Sequence, residues 1–290
     1  MSALKRFSLT FGCMLTILAA PMAQNAVPAR QVGNISGDFI PNQVEKGLRP
    51  QWAKSIMKAN ADRPYIYNVK DGEADIFGQM RYQKNMKGMG LIKLTSDNPG
   101  KFEWIRDYGY IAGSTPILTA GTYVGDEYYA FETTFYNNIN MPKAISVVNI
   151  NTGEYVAKKM IQNPTDRRPL ILDEMTYDPK TDRIFGLNYD TDAQTSYIYK
   201  IDRTSHELKH VATIPSLIFT LAADNGCLYA MSMTARGSML NKIEISSINA
   251  AAKTCTMTNT GVDTGVRMGD YSQSMEFDKT THRLWWLAQT

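Results

Sequence analysis

The chain has 290 residues, of which 43% are hydrophobic and 10% aromatic, and a formal net charge of +3. That composition excludes an intrinsically disordered chain. Its Lys and Arg residues are scattered among acids with no basic run, which excludes the electrostatic footprint of a nucleic-acid binder.

Lys5 and Arg6 precede an uncharged apolar stretch over residues 7–20, and Pro21-Met22-Ala23 ends it on a small residue. This is the pattern of an export signal over residues 1–23, with processing expected after Ala23 and Ala20 as the alternative. The run is too short to span a bilayer comfortably. The expectation is an exported protein, extracellular, on the cell surface or periplasmic, with no membrane span after signal removal. Processing leaves 29 basic against 28 acidic residues and two cysteines, Cys227 and Cys255.

Residues 24–63 read as an irregular leader broken by Gly33, Gly37, Pro41, Gly47 and Pro50, with one short helix expected over 51–59. From residue 64 to 290 the pattern changes to short β-rich runs separated by turn residues. One phrase is written twice, MTYDPKTDRIFGL from Met175 and MEFDKTTHRLWWL from Met275. Each copy holds an alternating strand, an Asp-led turn and a second apolar strand, which is a β-hairpin.

Five such second strands align, at Ile76-Phe77, Tyr128-Tyr129, Ile184-Phe185, Leu228-Tyr229 and Leu284-Trp285. The first four are followed by candidate third strands (90–94, 144–150, 196–201, 241–245) and fourth strands (102–106, 155–160, 208–214, 255–258). Four strands per unit at this spacing is the β-propeller period. The expected fold is therefore all-β: a β-propeller of four-stranded blades, four blades plus a partial fifth made of strands at 271–277 and 284–288. Two strands short of a full blade, the chain reads as a piece of a longer propeller, with a possible missing C-terminal module.

The export signal, the Asp-x-x-Thr-x-Arg hairpins and the phrase YSQSMEFD over residues 271–278 resemble secreted β-propeller-like repeat proteins of Bacteroidetes, within the WD40/YVTN-like propeller superfamily. Those proteins repeat phrases of the type FDPxTGKLYW. The resemblance implies a propeller fold and secretion and carries no catalytic residues. The chain departs from the phrase at Asp182 and His282, where the family more often has Gly.

His206-Glu207-Leu208-Lys209-His210 matches the HExxH zinc signature, which requires a helix. Alignment with Asn149-Ile150-Asn151-Thr152-Gly153-Glu154-Tyr155 instead puts His206 on a turn before a strand, so no metal is expected there. Asp190-Thr191-Asp192 reads as a capped loop rather than a calcium site.

Asp173-Glu174 and the corresponding Gln273-Ser274 fall at the start of first strands, near the mouth of a central channel. With Tyr189 they form the candidate ligand-binding set. Tyr123 and Tyr136 could stack on sugars but fit core or rim packing. Cys227 and Cys255 are expected on the second and fourth strands of one blade, about 9.5 Å apart, beyond disulfide reach. No cofactor is expected.

These features lead to a secreted, non-catalytic propeller that binds a protein or glycan ligand, more an interaction module than an enzyme. The alternative is a propeller hydrolase or lyase with a carboxylate site at the channel mouth. Convergence of carboxylates from three or more blades is the feature expected to mark the enzyme.

Overall fold

A computed structural model describes residues 5–8, 74–80, 90–95, 98–109, 117–133, 142–161, 170–234, 237–266, 274–278 and 282–287. The expected leader, its helix over 51–59, and Tyr136 lie outside the described residues.

The first sheet is ordered β1 (Lys5–Ser8), β2 (Ala74–Met80), β3 (Gly90–Thr95), β4 (Asn98–Asp107). The second holds β5 (Ile117–Val124), β6 (Glu127–Thr133), β7 (Lys143–Asn149) and β8 (Tyr155–Ile161). The third holds β9 (Glu174–Asp178), β10 (Arg183–Asp190), β11 (Thr195–Ile201) and β12 (Leu208–Ile214). The fourth holds β13 (Thr220–Asp224), β14 (Cys227–Met233), β15 (Ser238–Glu244) and β16 (Met257–Asp263), and β17 (Ser274–Asp278) pairs with β18 (Arg283–Leu287) in a two-stranded fifth unit. This is the expected all-β propeller of four four-stranded blades and a partial fifth.

All neighbouring strands pair antiparallel except β1 and β2, which run parallel in the register Lys5↔Ala74 to Ser8↔Phe77. The innermost strands touch in a closed ring, β5 to β9, β13, β17, β1 and back to β5. β1 falls inside the expected export signal, so a chain processed after Ala23 would need another strand at the inner edge of β2.

Second strands are buried on both faces because each blade is sandwiched between two others. In β6, Tyr128 and Ala130 pack into the cluster shared with Phe77 and Leu91 of the first blade, whereas Tyr129 and Phe131 pack with Leu172 and Ile184 of the third. The same division places Phe185 and Leu187 against Leu221 and Leu228, and Met231 against Met275 and Trp286. Outer strands such as β8 have mostly exposed side chains. Burial thus orders each blade from a dry inner half to a wet rim.

The turns explain the departures from Gly. Asp182, His206 and His282 adopt φ of 53°, 55° and 55°, the left-handed region where Gly costs least. Asp178 at the end of β9 accepts hydrogen bonds from the Thr181 amide at 3.0 Å and from Gly226 N–H of the next blade at 3.0 Å. At the same position of the fourth blade, Asp224 meets His282 Nδ1 of the fifth at 2.8 Å. Each carboxylate ties one hairpin to the next.

Candidate carboxylate site at the channel axis

Pairing register sorts the inner-strand residues into levels along the axis. Val124, Asp178, Asp224 and Asp278 are the last ladder positions before the turns. Two residues back stand Thr122, Thr176, Ala222 and Glu276, and two further back Ala120, Glu174, Thr220 and Ser274. Period-two alternation puts both sets on the same side of their strands. All eight are buried, Glu174 to 1% and Glu276 to 2% exposure.

Glu276 of the fifth unit reaches the second and third blades. Thr176 Oγ1 donates to its Oε1 at 3.1 Å, Thr122 Oγ1 to its Oε2 at 3.4 Å, and the Phe277 amide to Oε1 at 2.9 Å. The Ala223 amide in turn donates to Thr176 Oγ1 at 2.8 Å, so the Thr176 proton is directed at the carboxylate.

Glu174 of the third blade reaches the fourth and fifth. Its Oε2 accepts from Thr220 Oγ1 at 3.0 Å and from the Met275 amide at 3.3 Å. That amide belongs to the residue directly before Glu276, so Glu174 reaches the strand that carries the other carboxylate. Burying a carboxylate is costly unless donors surround it. Here hydroxyls and amides from four blades supply them.

The sequence-derived candidates distribute as follows. Glu174 and Ser274 share the upper level. Asp173 is half-buried just outside it; its Oδ2 accepts from the Tyr189 amide at 3.3 Å and from Asn188 Nδ2 at 3.5 Å, and its own amide donates to the Leu187 carbonyl at 2.7 Å. Tyr189 is half-buried, its ring edge-on to Phe219 at 5.8 Å. The structure therefore joins Asp173 to Tyr189 through a main-chain hydrogen bond, while the Glu174 carboxylate turns to Thr220 and the Met275 amide. Gln273 lies outside the described residues.

Glu276 escaped the sequence reading. Its signal was the repeat itself, since it replaces Thr176 at the same position of the two copies, MEFD against MTYD.

The remaining motifs are structural. His206 sits in the turn that its amide closes onto the Asp202 carbonyl at 2.9 Å, and β12 begins at Leu208, so the HExxH residues are not on a helix. His210 Nε2 lies 3.0 Å from the Ala212 carbonyl and 3.1 Å from Thr213 Oγ1. Asp190 Oδ1 accepts the amides of Asp192 and Ala193, the capped loop expected. Tyr123 packs 5.7 Å from Phe77 in the inter-blade core. Cys227 is on β14 as expected, but Cys255 precedes β16 rather than lying on it, because residues 249–254 form a small turn closed by the Asn249↔Thr254 bridge. Both are free thiols, and burial raises the pKa of each.

No family profile matches the chain, and no curated protein does. Among solved structures, the chain is similar to an exo-β-1,3-galactanase from Phanerochaete chrysosporium in complex with β-1,3-galactotriose, at 13% identity over 73% of this chain and 56% of that one, TM-score 0.44. It is also similar to an exo-β-1,3-galactanase from Clostridium thermocellum, at 10% identity over 73% and 56%, TM-score 0.42. A third is an endo-arabinase from Bacteroides thetaiotaomicron, at 12% identity over 72% and 82%, TM-score 0.35. The chain spans about half the length of the galactanases it matches. At these identities the likeness is one of fold.

The expectation of a non-catalytic binding propeller, more an interaction module than an enzyme, is corrected here. The similar structures carry the names of glycan-cleaving enzymes, and the buried carboxylates of Glu174 and Glu276 each reach across the ring to other blades. The convergence involves carboxylates of two blades rather than three, with hydroxyl donors from the blades between them.

Proposed function

We propose that the protein is a carboxylate-pair hydrolase that cleaves a glycosidic bond at the channel mouth. The observation that carries this reading is that two buried carboxylates of different blades, Glu174 and Glu276, each reach across the ring, Glu174 to the amide directly before Glu276. Glycosidic cleavage needs one carboxyl to protonate the leaving oxygen and one carboxylate to act as base or nucleophile.

Each carboxylate accepts from three donors, Glu276 from Thr176, Thr122 and the Phe277 amide, Glu174 from Thr220 and the Met275 and Met175 amides. The two are therefore held alike, and in this reading one carboxyl protonates the leaving oxygen while the other serves as base or nucleophile. The export signal expected over residues 1–23 supports a compartment where polysaccharides are met.

The test is turnover of a panel of oligosaccharides by the full chain beside Glu276→Gln and Glu174→Gln. Each variant should retain the fold by circular dichroism and lose activity by about 10²- to 10⁴-fold, the usual contribution of a positioned proton-transfer group. Full activity in Glu276→Gln would overturn the assignment.

A further inference from the structure

We propose that the inner edge of β2 is a docking site for the chain's own residues 65–69, which replace β1 as the first strand of the first blade once the expected export signal, residues 1–23, is removed. The first observation is that β1 breaks the pattern of the other units. β5 with β6, β9 with β10, β13 with β14 and β17 with β18 each form an antiparallel hairpin closed by a turn of two or four residues. Among the described strands β1 alone runs parallel to its partner, and its register stops at Phe77, short of the end of β2 at Met80. Parallel pairing is the less stable arrangement per residue.

The edge of β2 needs a partner in the processed chain. β1 stands in the ring between β17 and β5. Its removal turns a row of β2 N–H and C=O groups toward the centre of the ring, where a strand must satisfy them.

The sequence directly before β2, outside the described residues, has the chemistry for that strand. Tyr65-Ile66-Tyr67-Asn68-Val69 is rich in aromatic and β-branched residues, and Asp71-Gly72 follows before β2 begins at Ala74. Asp-Gly and Asn-Gly are the pairs that suit a two-residue hairpin turn, because both central positions take positive φ. The fourth blade contains that turn at the equivalent place: Asn225-Gly226 joins β13 to β14 with φ of 50° and 83°. A strand delivered by such a turn also closes a far shorter loop than one reached from Ser8, so less chain entropy opposes it.

The test compares the full chain with the processed form, residues 24–290, by thermal unfolding and by hydrogen exchange at the β2 amides. The processed form should melt no lower than the full chain and keep slow exchange over residues 74–80. Neighbouring N–H groups of an antiparallel strand point to opposite sides, so one of Ile66→Pro and Tyr67→Pro removes a hydrogen bond to β2. That variant of the processed form should melt about 10 °C lower and lose the β2 protection. If it does not fold, Gly72→Val is read instead; it forces a β-branched residue into positive φ and should lower melting by several degrees. Unchanged melting in Gly72→Val overturns the proposal. So does a processed form whose β2 amides exchange fast until a peptide of residues 1–10 is added, which would make β1 a permanent strand. A processed form with protected β2 amides that ignores both proline variants also overturns it, and melting that depends on protein concentration would then identify a second copy as the occupant.

Discussion

Thr176 Oγ1 donates to Glu276 Oε1 across 3.1 Å, although the two residues occupy the same position in two copies of one repeat. A strand position that is Thr in one blade and Glu in another creates a donor and its acceptor, and the ring brings them face to face. Repetition supplies the scaffold, and divergence at one position supplies a buried carboxylate together with its donor.

Thr176→Val removes both the donor to Glu276 and the acceptor of the Ala223 amide, without changing side-chain volume much. Two buried polar groups lose a partner, so chemical denaturation should show a loss of about 1–3 kcal/mol. If Thr176 holds Glu276 ionised, the acid limb of the pH–rate profile should move to higher pH in this variant. Thr176→Ser should restore both stability and profile. A variant with an unmoved profile would make Thr176 purely structural.

Between the first and second blades, Glu132 is 3% exposed and accepts from Tyr155 Oη at 2.7 Å and Tyr108 Oη at 3.4 Å, with Lys158 Nζ at 2.5 Å. Burial first, and then the Glu132 charge, raise the Tyr108 phenol above its ordinary 10.0; Tyr155 is raised too, burial again leading. A raised acid stays protonated in the fold after the unfolded chain has begun to ionise. The contribution of the two phenols is therefore fully present below pH 10 and is lost as pH rises above it. Urea unfolding followed from pH 8 upward should steepen its decline beyond pH 10 in the wild type. The Tyr108→Phe/Tyr155→Phe double variant should decline less.

Much of this architecture was legible from the chain. The five aligned second strands all exist, because residues such as Ile184 and Leu228 are apolar on both strand faces and only an inter-blade position satisfies that. The positive φ of His206 was readable because a Gly fills the matching turn at Gly153. The axial site was less legible. Asp173 and Glu174 stood out as adjacent acids, but Glu276 is one acid in an ordinary strand, and Thr122 lies 154 residues before it. Hydrogen bonds across a ring join residues whose separation depends on blade count and closure, and local patterning contains neither. No single hairpin holds Glu276 together with its donors Thr176 and Thr122, so no local motif announces it.

Gly153 closes the turn before β8 with φ +72°, and a Cβ there would stand 2.1 Å from the Ile105 carbonyl oxygen of the first blade. Its own carbonyl accepts from Arg106 Nη1 at 2.5 Å. Gly153→Ala meets left-handed strain of about 1–2 kcal/mol and a backbone clash that no rotamer relieves. Thermal unfolding should shift down by several degrees, about 2–4 °C per kcal/mol for a chain of this class. Gly125→Ala is the control: φ is +62° there and a Cβ meets nothing within 4 Å, so strain acts alone and the shift should be smaller.

The two inter-blade latches occupy one repeat position and should differ in strength. Asp178 is 0% exposed and accepts from Thr181 N–H, Thr181 Oγ1 and Gly226 N–H at 3.0, 2.7 and 3.0 Å. Asp224 is 7% exposed, but its partner His282 has a side chain 64% exposed. Asp178→Ala strips a carboxylate from three donors and leaves two part-buried amides without that partner, which should cost about 1–3 kcal/mol. His282→Ala loses one solvent-screened contact, at most about 1 kcal/mol, and places Ala at φ +55°. His282→Gly relieves that backbone strain, so its unfolding midpoint should lie above that of His282→Ala, and both should lie well above Asp178→Ala. Equal losses at Asp178 and His282 would show that the latches share their load through the ring; the expected inequality would place the stronger joint between the third and fourth blades, beneath Glu174 and Thr176.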